Sequence, residues 1–178
     1  VSLTSFSQNN KSEILKGERA EKIVNGAELV RLKNFSAVPN YIKFRNGNEI
    51  SAEKADIFIN KFVNHENTGF QKLNSITGKL GMQHERYVQT INNIPLEYSA
   101  YIFHIKDGNC VSMNGNISSD PVLNGSFTIS EQQALDYAKQ HMNSDLWIFE
   151  AGDENPFVMK YEKPKAEKVY IPENGKLY

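Results

Sequence analysis

His84-Glu85-Arg86-Tyr87-Val88-Gln89-Thr90-Ile91-Asn92-Asn93-Ile94-Pro95-Leu96 is the stretch on which the fold turns. From His84 to Ile91 it is rich in aromatic and β-branched residues and it alternates. Tyr87, Gln89 and Ile91 fall on one face, and Arg86, Val88 and Thr90 on the other. Asn92-Asn93 interrupts the run. Asparagine tolerates the left-handed backbone of a tight hairpin, so a turn is predicted here, with a returning strand over residues 94–105. Asp107-Gly108 is a second turn of this kind and leads into a strand over 109–113. On the other side, Phe70-Gln71-Lys72-Leu73 opens a β segment that ends at a Gly78 turn. The centre of the chain reads as an antiparallel meander.

Upstream, Ala27–Leu32 and residues 41–44 are short strands, punctuated by Pro39 and by Asn46-Gly47-Asn48. Ser51 opens a helix. Its hydroxyl can cap a first-turn N–H, and Glu53 suits the positive end of the helix dipole. Ala55, Phe58, Ile59, Phe62 and Val63 recur at helical spacing and make one apolar stripe; Asn67 and Gly69 end the helix. Residues 1–26 form a flexible leader in this reading, polar and without a sustained period. Downstream, residues 114–126 are loop-like, with Pro121 and Gly125, and mark a boundary. Ser130-Glu131-Gln132-Gln133 is a capping box that opens a helix with Ala134, Leu135, Ala138 and Met142 on one stripe. Strands are expected over 145–150, 157–161 and 168–171. The expected division is a leader over 1–26, a first domain over 27–116, and a second over 117–178 that is incomplete at its C-terminus.

The chain has 178 residues, room for one sizeable core or two small ones. Apolar residues at 39% and charged residues at 23% suit a globular protein. A formal net charge of -1 leaves no basic excess to neutralise a phosphate backbone, which argues against a nucleic-acid partner. No apolar run approaches the ~20 residues of a membrane span. Cys110 is the only cysteine, so no disulfide forms within the chain; with apolar Val111 beside it, it reads as a packed residue rather than a nucleophile. Val1-Ser2-Leu3 does not read as the start of a signal peptide.

His84-Glu85 is the one tempting catalytic pair. A zinc peptidase needs a second histidine four residues on, on the same helical face, with the glutamate as general base. Position 88 is Val88, and the segment is β-rich, so a zinc site is not expected. His65, His104 and His141 are scattered without ligand spacing. No G-x-S-x-G elbow and no glycine-rich phosphate loop occurs. Asp153-Glu154 beside Gly152 reads as a solvated turn. Tyr98, Tyr101 and Phe103 could stack on a ligand, but core and cross-strand packing is the default. No catalytic, cofactor-binding or metal-binding residue is expected.

The central run resembles the signature H-x-R-Y-x-Q-x-x-x-G-[IV]-P-V of the fungalysin/thermolysin propeptide, or FTP, domain. His84, Arg86, Tyr87, Gln89 and Pro95 stand at motif positions. Asn93 replaces the hairpin glycine, and Tyr98 stands where a small residue is expected. Residues 101–115 are similar to the family's continuation, with the Asp107-Gly108 turn and the closing Asn114-Gly115. Ile129-Ser130-Glu131-Gln132-Gln133-Ala134-Leu135 resembles the start of the PepSY propeptide module. The resemblance implies an α+β fold of two cystatin-like modules, each a helix packed on an antiparallel sheet, the second truncated. It also implies a non-catalytic propeptide of a secreted thermolysin-like zinc metalloprotease, acting as intramolecular chaperone and inhibitor. The partner would be the cognate catalytic domain, the only place where zinc is expected. The localisation implied is secreted or periplasmic. The alternative is a free-standing helix-on-sheet binding or protease-inhibitor module.

Overall fold

The computed structural model describes residues 12–33, 36–142, 144, 147, 149, 162–173 and 176–177. The elements run β1 (Glu13–Lys16), α1 (Glu18–Ile23), β2 (Ala27–Leu32), β3 (Pro39–Phe44) and β4 (Ile50–Ser51). A 3-10 turn (Ala52–Lys54) then enters α2 (Ala55–Asn60), followed by β5 (Thr68–Thr77), β6 (Gln83–Ile91), β7 (Ile94–Lys106) and β8 (Asn109–Asn116). Last come α3 (Glu131–Met142), β9 (Pro172–Glu173) and β10 (Lys176–Leu177).

β1 to β8 form one antiparallel sheet in the order β1-β2-β3-β8-β7-β6-β5, with β4 paired to β8. The turns predicted for its centre are present. Asn92 and Asn93 have φ of 51° and 64°, and Asp107 and Gly108 have 50° and 78°, so both hairpins close with two left-handed residues. That backbone twist matches the twist of the strands it joins.

Strand alternation gives the sheet two unlike faces. One row across it is Leu15, Val30, Ile42, Met113, Phe103 and Glu85. All six are buried, and Ala20 of α1 and Ala55 and Ile59 of α2 pack into the same core. The expected stripe on α2 therefore does face the sheet, and Phe58, Phe62 and Val63 complete it from just inside and beyond the helix end. The helix is shorter than the sequence suggests, ending at Asn60, and the Ser51 hydroxyl makes no cap hydrogen bond; Ser51 is already paired in β4.

Two expectations about architecture need correction. The protein is not a pair of cystatin-like modules: among the described residues β1 to β8 form one continuous eight-stranded sheet, alongside a two-stranded β9–β10 pair and three helices. The chain divides into a unit of residues 1–124 with 170–178 and a unit of residues 125–169, and the sheet belongs to the first. The second unit has the predicted capping box, with Ser130 N–H on Gln133 Oε1 at 2.8 Å and Gln133 N–H on Ser130 Oγ at 3.2 Å. Yet α3 buries none of its residues. Residues 168–171 form no strand. Tyr170 instead makes an isolated parallel bridge to Leu96 and joins a small core with Ile91, Ile94 and Leu177. Residues 157–161 and most of 145–150 lie outside the described residues. Within the stretch read as a leader, residues 13–16 are an edge strand and 18–23 a helix. Elements of four and six residues are too short to show a period.

Candidate functional site

The β6–β7 hairpin holds the residues singled out in the sequence. Its register changes in the middle. Ile91 faces Ile94 and Thr90 faces Pro95, but Val88 faces Ala100. Gln89 alone therefore lies opposite Leu96, Glu97, Tyr98 and Ser99, a bulge of three extra residues on β7. The pairing register is continuous from Gln83 to Val88 and shifts at Gln89, and Val88, Gln89, Thr90 and Ile91 are all buried, so alternation of burial is lost from Val88 on. The bulge leaves Tyr98 at φ 60° and 78% exposed.

Gln89 is fully buried and pins the bulge to the loop after β8. Its side-chain Nε2 donates to the Ser118 carbonyl at 2.8 Å, and its Oε1 accepts the Ser118 N–H at 2.9 Å. The amide thus supplies the two bonds a neighbouring strand would supply. The Pro95 carbonyl accepts the Tyr170 N–H at 2.8 Å, and the Glu97 N–H donates to the Tyr170 carbonyl at 2.8 Å. Gln89 and Pro95 hold the two sides of one irregularity.

His84 and Glu85 point to opposite faces. His84 Nδ1 lies 2.7 Å from His104 Nδ1, and His104 Nε2 lies 2.6 Å from Asn114 Oδ1. The Asn114 oxygen only accepts, so His104 carries a proton on Nε2, and in the neutral ring its Nδ1 accepts the His84 Nδ1–H. Glu85 is on the helix-covered face, 6% exposed, and receives the Lys72 ammonium, the Gln83 Nε2 at 3.0 Å and the Tyr87 hydroxyl at 3.1 Å. The two side chains cannot share a metal ion from opposite sides of a sheet. Tyr87 packs its ring on Phe103 with centroids 4.9 Å apart. Burial, and then its bond to Glu85, push its hydroxyl up to about 12.

The other motif positions are structural or exposed. Arg86 is exposed on the open face. Asp107 and Gly108 form the β7–β8 turn, and the Gly108 carbonyl accepts the Ala52 N–H at 3.0 Å, tying the turn to the helix entrance. Gly115 lies directly opposite Tyr101, against the β7 backbone. Tyr101 and Phe103 are core residues, as the default reading had it. Glu85 as the buried acceptor of Lys72, and Ser118 as the partner of Gln89, were not expected from sequence. Glu85 could have been found by its parity with Tyr87. No local signal marks Ser118.

Cys110 is fully buried, and its thiol donates to the Ser112 carbonyl at 3.2 Å. Burial pushes it up to about 12. A thiol reagent at about pH 8 is expected to modify the folded chain on the order of a hundredfold more slowly than the chain in urea. Release of thionitrobenzoate from Ellman's reagent measures this, and equal rates would contradict the packing described.

Apart from Arg86 and Tyr98, which are exposed, and Tyr101, whose buried hydroxyl has no hydrogen-bond partner among the described residues, these groups spend their polar atoms and their surface on other parts of the chain. Such an arrangement fixes a shape. Residues 68–117, from β5 to just past β8, match the family described as the Fungalysin/Thermolysin Propeptide Motif. The chain thus carries an FTP domain, a non-catalytic propeptide-type domain related to thermolysin-family peptidases. Over 69 residues it is 35% identical to bacillolysin of Bacillus amyloliquefaciens; the alignment takes in 37% of this chain and spans 13% of that protein's length. No solved structure matches the chain. Among the described residues, no group of three or more His, Cys, Asp or Glu side chains is placed to hold a metal ion, and no helix is long and apolar enough to cross a membrane.

Proposed function

We propose that this chain is propeptide of a secreted thermolysin-like zinc metalloprotease, and that it acts on the catalytic domain of the same precursor as a folding assistant and inhibitor. The observation that carries the reading is the coincidence of the FTP match with the hairpin unit of β5 to β8. A preformed sheet can assist folding by binding the native-like peptidase more tightly than its unfolded chain, which stabilises the folded form by mass action. The zinc and the catalytic residues belong to the peptidase in this reading. A free-standing inhibitor module would use the same surface without a covalent link.

Refolding tests it. The thermolysin-family peptidase domain encoded with this chain is denatured and diluted with and without the chain in trans. The expected result is a recovered activity that rises with added chain, reaching its plateau near one equivalent, once the chain has been digested away. A yield that does not respond to added chain, or a gene without a peptidase domain, would count against the reading.

A further inference from the structure

His84 and His104 stand directly opposite each other on β6 and β7. Both are half-buried, and their rings meet edge to face with centroids 4.9 Å apart. The contact is a hydrogen bond between like groups, Nδ1 to Nδ1 at 2.7 Å, and His104 Nε2 continues it to Asn114 Oδ1 at 2.6 Å. One relay of side chains thus crosses three neighbouring strands, β6, β7 and β8. Its protons can be counted. With both rings neutral, His104 keeps its hydrogen on Nε2 for Asn114, and His84 keeps its own on Nδ1 for His104. The nitrogen left over is His84 Nε2, beside the Gly78 turn. A first added proton goes there. His84 becomes an imidazolium and still donates through Nδ1, now in a charge-assisted bond. A second proton has only His104 Nδ1 to occupy, which is the acceptor of that bond. Two N–H groups would then face each other at 2.7 Å, each on a cation, and the rings must part.

The surroundings do not offset the second charge. Beside the pair stand Ile76 of β5, opposite His84, and Ser112 of β8, opposite His104, both uncharged. Arg86, two residues along β6, and Lys106, two residues along β7, share the side of the strand that the histidines occupy. Lys79 lies in the β5–β6 turn. One strand further on, Lys43 of β3 stands opposite Ser112 and pairs with Glu28 at 2.8 Å, and the Tyr41 phenol stands opposite Asn114. Among the described residues neither ring has a carboxylate partner, and Glu85 leaves β6 on the other face, toward Lys72. The setting adds repulsion rather than relief.

We propose that the His84–His104 pair is an acid-operated latch on the β6–β8 part of the sheet. It is closed with no charge or one charge, and it opens when both rings are charged. The window follows from imidazole chemistry, since a free histidine charges near about pH 6.5. In the unfolded chain both rings take a proton as the pH falls through that value. In the closed fold only one proton can be added without breaking the bond. The unfolded chain therefore binds more protons on the acid side, so the stability the latch supplies is present above about pH 7 and is lost as the pH falls below about 6.5. The neighbouring Glu28–Lys43 pair does not contribute in this window, because the hydrogen bond and the charge of Lys43 hold the Glu28 carboxyl below the usual carboxylate range. Nothing in the latch depends on the propeptide reading; within that reading, it makes the inhibitory fold one that acid loosens.

Urea unfolding of the full chain at about pH 7.5 and about pH 5 tests it, with His84→Asn and His141→Asn beside the wild type. The amide that replaces His84 can donate to His104 Nδ1, or turn its oxygen to accept once His104 is charged, and it never carries a charge itself. His141 is exposed on α3 and serves as the control for an ordinary histidine. The wild-type folding equilibrium constant is expected to fall on the order of tenfold more between the two pH values than that of His84→Asn, and His141→Asn should follow the wild type. NMR of the imidazole carbons of the wild type gives a second readout that needs no variant. His84 and His104 should titrate as a coupled pair, in two separate steps, the lower of which coincides with the loss of stability. Parallel profiles for the wild type and His84→Asn, an equal flattening in His141→Asn, or a wild-type pair that titrates as two independent imidazoles would each overturn the proposal. Should His84→Asn fail to fold at neutral pH, the wild-type titration alone decides.

Discussion

Gly115→Ala is expected to destabilise the protein by about 3 kcal/mol or more, at or above the upper end of the usual range for an overpacked site. A Cβ at Gly115 would lie 2.1 Å from the Ala100 carbonyl oxygen and 2.7 Å from the Tyr101 Cα. Both are backbone atoms of β7, so no side chain can swing aside. The β7–β8 pair must separate, and β8 also carries β3 and β4. The loss therefore spreads from one contact to the join between the two halves of the sheet. Urea unfolding followed by circular dichroism measures it as a lowered midpoint, or as an absent transition. Gly78→Ala is the control. Its φ is not left-handed, and a Cβ there would meet nothing closer than 3.4 Å. It should stay within about 1 kcal/mol of the wild type. Equal midpoints for the two variants would contradict the close approach of β7 and β8.

The second large effect is at Gln89. Gln89→Leu keeps the volume near its own and removes both bonds to Ser118. It leaves a part-buried N–H and a part-buried carbonyl without partners, each worth at most about 1–3 kcal/mol, so a loss of about 2–4 kcal/mol is expected. Gln89→Glu separates hydrogen bonding from packing. As a carboxylate it still accepts the Ser118 N–H, but it turns an oxygen on the Ser118 carbonyl and buries a charge. Once protonated, it has a donor for that carbonyl again. The Gln89→Glu protein should therefore gain stability relative to wild type as the pH is lowered, and Gln89→Leu should not. Urea midpoints of the three proteins across the acid range decide it. Parallel pH profiles for the two variants would mean that the amide fills space and pins nothing.

The central meander was legible because its punctuation is local. Asn92-Asn93 and Asp107-Gly108 are residues that tolerate left-handed backbone, and they fall between runs of period two. Ala27–Leu32 could be bounded from sequence for similar reasons. The cross-strand partners were not legible. A two-residue turn at Asn92-Asn93 would by itself set His84 opposite Tyr101, whereas the three extra residues at Leu96 to Ser99 set it opposite His104. That shift depends on Gln89 and on Ser118, 29 residues away, and nothing near either announces the other. The error about the second half has a different origin. Ala134, Leu135 and Ala138 do make an apolar stripe on a helix with a correct cap, but a stripe says which face is apolar and not that a sheet covers it. Ala134 and Leu135 are only half-buried and Met142 is 67% exposed. The absent second histidine at Val88 argued against a zinc pair at His84-Glu85. The stronger reason, that the two side chains leave the strand on opposite faces, follows from strand geometry alone.

The central proposal is that this chain binds and silences a thermolysin-family catalytic domain. The most direct measurement is a titration of the mature peptidase that the proposal expects to be encoded with it, following hydrolysis of a short peptide substrate while the intact chain is added. The account predicts that activity falls with added chain and is abolished near one equivalent, and that it returns as the chain is cleaved. Activity that stays undiminished in the presence of excess intact, folded chain would contradict it.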